Sequence, residues 1–279
     1  MIIDMSGKVV LVTGASQGLG ETIAFEFAKS HADVVVNYVE HDTKDKTGGS
    51  EVRELVARAY EPQRQKAENL VERIKGLGQK AIAIECDVSK SNEVRQMMKR
   101  IVDQFGRIDV LVNNAAVNPK RSEGKTPIYK ITDEEWDLVL NVNLKGAFNC
   151  TREALIIMLQ QKSGSIVNIA SSSAHTGNGA PVGAPYCISK AGIVCLSKAA
   201  ALDLASMGIR INAIAPGPIE GPNNLRNPPE VNAAMTQAIP LKRIAKPEEI
   251  AYAAIFLASE RSAFTTGETL NVNGGSYLV

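Results

Sequence analysis

Tyr186 and Lys190 stand four residues apart in the run Tyr186-Cys187-Ile188-Ser189-Lys190. On a helix, that spacing places both side chains on one face. A free phenol, with a pKa of about 10, exchanges protons poorly at neutral pH. An ammonium group beside it favours the phenolate and brings it toward the working range. The pair is a candidate proton-transfer device. A chain with six tyrosines can also produce one such spacing by chance, so the reading needs partners elsewhere.

A second chemical signal is the turn Gly14-Ala15-Ser16-Gln17-Gly18-Leu19-Gly20, which follows an apolar run at 8–13 and precedes a helical pattern at 21–30. Strand, glycine-rich turn and helix is the context that a dinucleotide-binding turn requires. Gly14 permits the tight turn, Gly18 lets the backbone approach a pyrophosphate, and Gly20 lets helix pack on strand. The N-terminus of the helix then offers its N–H groups to the phosphates. Three further groups fall just after predicted strands. Asp87-Val88 follows the third, where the carboxylate can accept a hydrogen bond from an adenine amino group. Asn113-Asn114-Ala115-Ala116 ends the fourth with small residues, as close passage past a ligand requires. Ser171, Ser172 and Ser173 end the fifth, where a hydroxyl can hold a carbonyl while Tyr186 gives its proton.

An alternation of strands and helices must position these groups. Strands are expected at 8–13, 33–38, 81–86, 109–113, 165–170, 209–214 and 268–272, with helical patterns between them. Ser91 is expected to cap the helix that runs to Phe105. Thr132 to Glu135 reads as a capping box before a long helix carrying Trp136, Leu140 and Phe148. The pattern predicts an α/β fold: a Rossmann-type, doubly wound parallel sheet with helices on both faces and ligands at the strand carboxyl ends. One domain is expected over 1–279, since no linker divides the chain and its 44% apolar composition can fill one large core. An insertion at about 40–61 reads either as a solvated elaboration or as a cap over a cofactor. A proline-stiffened segment at about 219–240, with a short helix near 230–237, reads as a lid over the substrate.

Composition removes several classes of function. Net charge is +1, which gives no reason to expect nucleic acid or an anionic membrane. Cys86, Cys150, Cys187 and Cys195 are scattered without a histidine cluster, which argues against a metal site or a disulfide scaffold. No apolar run reaches the roughly 18 residues of a membrane span, and the N-terminal residues read as a strand rather than a signal peptide. A soluble, reduced, cytoplasmic protein is expected.

Together the motifs resemble the short-chain dehydrogenase/reductase family, near its 3-oxoacyl-carrier-protein reductase and glucose dehydrogenase branches. The resemblance covers nearly the whole chain. It rests on residues 13–20, Asp87-Val88, Asn113 to Ala116, Asn141-Val142-Asn143-Leu144, the serine run, Tyr186-x-x-x-Lys190 and Pro216-Gly217. It implies an NAD(P)-dependent oxidoreductase with Tyr186 as general acid in reduction and general base in oxidation. Lys190 would lower the phenol pKa and hold the nicotinamide ribose. Asn143, rather than Asn141, matches the family asparagine that organises a water-linked relay. The family serine falls at Ser171 when counted from the strand and at Ser173 when counted back from Tyr186; strand geometry favours Ser171. Cofactor contacts are implied at Gly14, Ser16, Gln17, Gly18, Leu19, Gly20, Tyr38, Asp87, Val88, Asn114, Ala115, Ala116, Tyr186, Lys190, Pro216, Gly217 and Ile219, with no metal.

This sequence departs from the family pattern in three places. Ala116 stands where the family has glycine, which is tolerable if its φ is negative. Gly221 stands where a threonine usually meets the carboxamide. At the end of the second strand Tyr38 replaces the acid that NAD enzymes carry, while Gln17 and Val39 replace the bases that NADP enzymes carry. Ser16 and Asn37 can hydrogen-bond a phosphate, Glu40 opposes one, and Lys44, Lys46 or Arg53 could reach in. NADP is favoured over NAD. Small polar loops at 174–185 and 219–240 suit a small polar carbonyl or sugar-like substrate better than a steroid. Lys120, Arg121 and Lys125 could attract an anionic one, although such a run is usually a wet face. His175 is expected to be a solvated loop histidine. A 3-oxoacyl-thioester reductase is the first expectation; the alternatives are a polyol, sugar or uronate dehydrogenase, or a non-catalytic nucleotide-binding scaffold. The resemblance also implies a homotetramer.

Overall fold

The computed structural model describes residues 3–40, 63–119, 126–177, 183–221 and 229–278. β1 (Val9–Val12) is buried along its whole length, as an unbroken apolar run covered on both faces must be. β2 (Asp33–Tyr38) and β3 (Ala81–Glu85) extend the sheet to one side. β4 (Val110–Asn113), β5 (Gly164–Ile169), β6 (Ile209–Pro216) and β7 (Thr269–Val272) extend it to the other. The strand order is 3-2-1-4-5-6-7 and every neighbouring pair is parallel. The direction of winding reverses between β1 and β4, where Val10 lies opposite Val110 and Val12 opposite Val112. A crevice therefore opens at the carboxyl ends of these two strands.

The helices in chain order are α1 (Gly18–Lys29), α2 (Gln63–Lys75), α3 (Ser91–Phe105), α4 (Asp133–Leu140), α5 (Gly146–Gln161), α6 (Ser173–Thr176), α7 (Ala184–Leu204), α8 (Pro229–Ala238) and α9 (Pro247–Ala258). On one face of the sheet α1, α2 and α9 contribute Ile23, Phe27, Leu70 and Ile250 to a common core. On the other, α3, α5 and α7 contribute Met97, Ile101, Met158 and Leu204. Alternate residues of β1 serve opposite cores, Val10 and Val12 the first, Val9 and Leu11 the second. The pattern that makes α3 is plain: Val94, Met97, Met98 and Ile101 recur on one face and are buried, and Gly106 ends the helix with φ 76°.

Two helix expectations need correction. Ser91 begins α3 rather than capping it, since Lys90 holds the cap position and makes no side-chain cap bond. The long helix expected after Thr132 is interrupted: α4 ends at Leu140, Asn141–Lys145 forms a π-helical turn, and α5 resumes at Gly146. Apolar spacing continues through the turn, so the break leaves no trace in periodicity. The Thr132 hydroxyl accepts from the Glu135 N–H at 3.2 Å, as the expected cap requires. Most of the proposed insertion and residues 222–228 of the lid lie outside the described residues. No described helix is long and apolar enough to cross a membrane, and all four cysteines are free.

Candidate active site

β1 runs into Gly14, whose φ of +61° is left-handed; a Cβ there would stand 2.9 Å from Ala115 Cα. Gly20 is tighter. A Cβ would collide with the Gly14 carbonyl oxygen and lie 2.5 Å from Asn114 Nδ2. Thr13 locks the turn to the loop after β4. Its hydroxyl accepts from the Asn114 and Ala115 N–H groups at 2.9 and 3.0 Å, and Asn114 Nδ2 donates to the Thr13 carbonyl at 2.9 Å. Gln17, the N-cap residue of α1, makes no side-chain cap bond, so the helix start is left open for an anion. A glycine cradle with no room for side chains, beside an uncapped helix N-terminus, fits the pyrophosphate of a dinucleotide.

At the outer end of the crevice Tyr38 closes β2 at 6% exposure, so that strand ends without a carboxylate. Asn37 is not available to a phosphate as expected. Its Oδ1 accepts from the Gly14 N–H at 3.1 Å and its Nδ2 donates to the Cys86 carbonyl at 3.0 Å, so the amide ties the turn and β2 to the end of β3. The Ser16 hydroxyl donates to Gln63 Oε1 at 2.6 Å, and Gln17 Oε1 accepts from Lys66 Nζ at 3.1 Å. Glu40 accepts from the Arg64 N–H at 2.9 Å, in the first turn of α2. Asp87 folds back on its own turn, its Oδ1 accepting from the Ser89 N–H at 3.0 Å and from the Ser89 hydroxyl at 2.7 Å. Val88 packs where a Cβ on Gly146 would sit, and its carbonyl accepts from Asn149 Nδ2 at 3.0 Å.

α7 opens at the cap residue Gly183, with Pro185 in its first turn, a position where a missing N–H is no loss. Tyr186 follows at once. One turn on, Lys190 is 2% exposed. Its ammonium donates to the Ile169 carbonyl at 2.7 Å and lies 5.7 Å from the centre of the Tyr186 ring. Burial pulls the Lys190 pKa down from the usual lysine range to about 8. Ile169 ends β5 two residues before Ser171, so one hydrogen bond joins the serine-bearing strand to the tyrosine-bearing helix. The Ser171 hydroxyl donates to the Ser173 hydroxyl at 3.0 Å and accepts from the Ser173 N–H at 3.1 Å. Ser173 is buried, while Ser171 is the more open of the two.

Asn143 is wholly buried in the π turn, whereas Asn141 is partly exposed. Its Oδ1 accepts from the Val117 N–H at 2.7 Å, and its Nδ2 donates to the Val117 carbonyl at 3.0 Å and to the Ser189 hydroxyl at 3.1 Å. Ser189 passes the link on by donating to the Tyr186 carbonyl at 2.7 Å. Leu144 seats against Gly192, where a Cβ would lie 2.8 Å from Leu144 Cδ2. Pro216 ends β6 and its carbonyl accepts from the Ser172 N–H at 2.8 Å. Gly217 runs against Asn273, and Ile219 bridges to Ala245 in parallel. Ala116 keeps a negative φ, since His31, Lys162 and Lys242 are the described non-glycine residues with positive values; its methyl imposes no backbone strain.

The carboxyl ends of β1, β4, β5 and β6 thus carry the glycine turn, the Asn114–Ala116 loop, the serines and Pro216–Gly217 around one crevice. His175 departs from its expected solvation: its ring stacks on Tyr277, centroids 4.8 Å apart and planes 4° from parallel. Lys44, Lys46, Arg53, Lys120, Arg121 and Lys125 lie outside the described residues, as do 178–182 of the facing loop. Four residues that meet the site were missing from the sequence reading. Thr13 and Ser189 sit inside motifs already noted, so their hydroxyls were a usable signal. Gln63 and Lys66 follow a long insertion and gave none.

A family profile described as Enoyl-(Acyl carrier protein) reductase matches residues 54–277. The chain is 40% identical over 271 residues to the 3-oxoacyl-(acyl-carrier-protein) reductase of Staphylococcus epidermidis, a match covering 97% of this chain and 99% of that one. Among solved structures, a 3-oxoacyl-(acyl-carrier protein) reductase from Brucella melitensis superposes with a TM-score of 0.85 at 31% identity, covering 100% of this chain and 95% of that one. A Brucella melitensis reductase of the same description with bound NAD gives a TM-score of 0.84 at 31% identity over the same shares.

Proposed function

The chain belongs to the short-chain dehydrogenase/reductase family, and from that premise we propose that it reduces a 3-oxoacyl thioester to the 3-hydroxyacyl thioester, with NADPH favoured over NADH. The observation that carries this reading is the ammonium of Lys190, buried beside the Tyr186 ring and anchored to the end of the serine-bearing strand. A binding scaffold has no use for a lysine held out of water at such a cost. Identity of 40% to a 3-oxoacyl-(acyl-carrier-protein) reductase across 97% of the chain supports the substrate class. The absence of a carboxylate at the end of β2 supports NADPH.

The turn from Gly14 to Gly20 and the open start of α1 would hold the pyrophosphate, with Asn114, Ala115 and Ala116 against the nicotinamide half and Asp87 and Val88 toward the adenine. When bound, the nicotinamide supplies the hydride that reaches the carbonyl carbon. Tyr186 donates its phenolic proton to the carbonyl oxygen as charge builds there, and takes it back in the oxidative direction. Lys190 stabilises negative charge on the phenol oxygen and would hold the nicotinamide ribose when the cofactor is bound. Ser171 donates to the same carbonyl oxygen and fixes its orientation. Asn143 holds the start of α7 in place through Ser189 and organises the water that refills the proton. The protein acts as a homotetramer; Ile156 on α5 and Leu202 on α7, 53% and 86% exposed, support an interface along these helices.

The test is turnover of acetoacetyl thioester, a 2-enoyl thioester and an aldonic acid with each cofactor, by wild type and by Tyr186→Phe. Wild type is expected to act on the 3-oxo thioester, and the variant to lose about 10²–10⁴-fold in turnover while still binding NADPH. Turnover confined to the sugar acid or the enoyl thioester would overturn the substrate assignment, and an active Tyr186→Phe would overturn the mechanism.

A further inference from the structure

Four cations lie along α2, and they are not alike. Arg64 is paired with Glu85 at 2.7 Å, Arg73 with Glu21, and Lys75 with Glu72 at 2.9 Å. Lys66 has no carboxylate within ion-pair distance among the described residues. Its ammonium donates instead to a neutral acceptor, Gln17 Oε1, at 3.1 Å. An ammonium held on a neutral amide oxygen can exchange that acceptor for an anion, with which its hydrogen bond is stronger.

The place where that charge is held is specific. Gln17 is the cap residue of α1, at the rim of the pyrophosphate cradle. Next to it Ser16 is fastened to Gln63, the first residue of α2, so the start of α2 is docked on the turn by two side-chain bonds. Tyr38 ends β2 on the same rim. The adenosine ribose of a dinucleotide lies between the end of the second strand and such a turn. An acid would accept from a ribose diol there, but Tyr38 offers none, Asn37 is occupied, and Glu40 uses one oxygen on the Arg64 N–H. What the rim does offer, among the described residues, is the Lys66 ammonium, held on a neutral acceptor.

We infer that Lys66 is the specificity residue for NADPH, its ammonium leaving Gln17 to pair with the 2′-phosphate of the adenosine ribose. This inference rests on the NADPH preference proposed above. The charge would come from α2, beyond the insertion, rather than from the turn or the strand. Gln63 then acts as the positioning residue that keeps α2 against Ser16.

The experiment is titration of the purified protein with NADPH and with NADH, followed by nucleotide fluorescence, for wild type, Lys66→Ala and Lys66→Arg. Lys66 is exposed, and unchanged melting temperatures would show that the variants fold. Lys66→Ala is expected to raise the Kd for NADPH about tenfold, the worth of one charge-assisted bond, and to leave that for NADH within about twofold. Lys66→Arg should keep NADPH binding. A wild type that prefers NADPH with a Lys66→Ala variant that loses nothing, or loses equally on both nucleotides, overturns the role of Lys66 and leaves the cofactor preference standing. A wild type that binds NADH as tightly as NADPH overturns the preference, and Lys66 falls with it.

Discussion

The loop from Gly14 to Gly20 and the first two turns of α7 line the same crevice, yet they are held in place by different means. The loop is fixed by sterics and neutral hydrogen bonds: two glycines that admit no Cβ, and a threonine hydroxyl that joins it to Asn114 and Ala115. The start of α7 holds a charge in an apolar place. Lys190 is buried, with its ammonium on one carbonyl, and burial has already lowered its pKa to about 8. The loop should therefore contribute to stability through every part that shapes it. The helix should give up stability for the sake of the group it positions.

That contrast can be broken most sharply at Lys190. Lys190→Met should lower turnover by about 10³-fold or more and yet raise the melting temperature of the cofactor-free protein, because a buried charge is replaced by an isosteric apolar chain. A variant that loses activity and stability together would show that the lysine is structural. Gly20→Ala is the opposite case, expected to destabilise the fold by about 3 kcal/mol and to weaken NADPH binding in parallel, as read by denaturant unfolding and by titration.

The same contrast has a pH signature. Lys190 holds its proton up to about 8 in the folded state, but to about 10.4 when unfolded. Between these values the unfolded chain binds the extra proton, so stability attributable to this group rises with pH. Wild type should gain on the order of 2 kcal/mol relative to Lys190→Met between about pH 7 and pH 9.5; a flat difference would mean that the ammonium is not buried in solution. Thr13→Ala leaves two loop N–H groups without their acceptor and should cost about 2 kcal/mol. The smallest effect is expected from Ser189→Ala, which breaks the link from Asn143 to the Tyr186 carbonyl: a loss of about fivefold in turnover, near 1 kcal/mol, with little change in KM.

Much of this is legible in the sequence alone. β2 spans the expected residues 33–38 and α3 ends at Phe105 as expected, because an apolar strand run and a helical pattern closed by glycine are local signals. The glycine turn and Tyr186/Lys190 were legible because their chemistry depends on spacing within one short run. Residues whose role depends on a contact across the fold were not. Asn37 appeared free to meet a phosphate, and only the position of Gly14 and Cys86 against it shows its amide to be occupied. His175 appeared to be a loop residue, and its partner Tyr277 lies about a hundred positions later in the chain. Lys66 was unreadable for the same reason, since no local pattern says which glutamine a lysine beyond an insertion will find.

The π turn at Asn141–Lys145 bears on how this chain tolerates change in length. A turn closed by i→i+5 bonds holds one residue more than an α-helix needs. Removing Asn141 or Val142 would let the backbone close into ordinary helix with α4 and α5 kept on their faces, because the turn absorbs the extra residue. It would also draw Asn143 out of the bulge, away from Ser189 and from the Val117 N–H and carbonyl that its amide holds. Loss of one residue in this stretch should therefore cost activity and the buried hydrogen bonds of Val117 while leaving the two flanking helices packed as before.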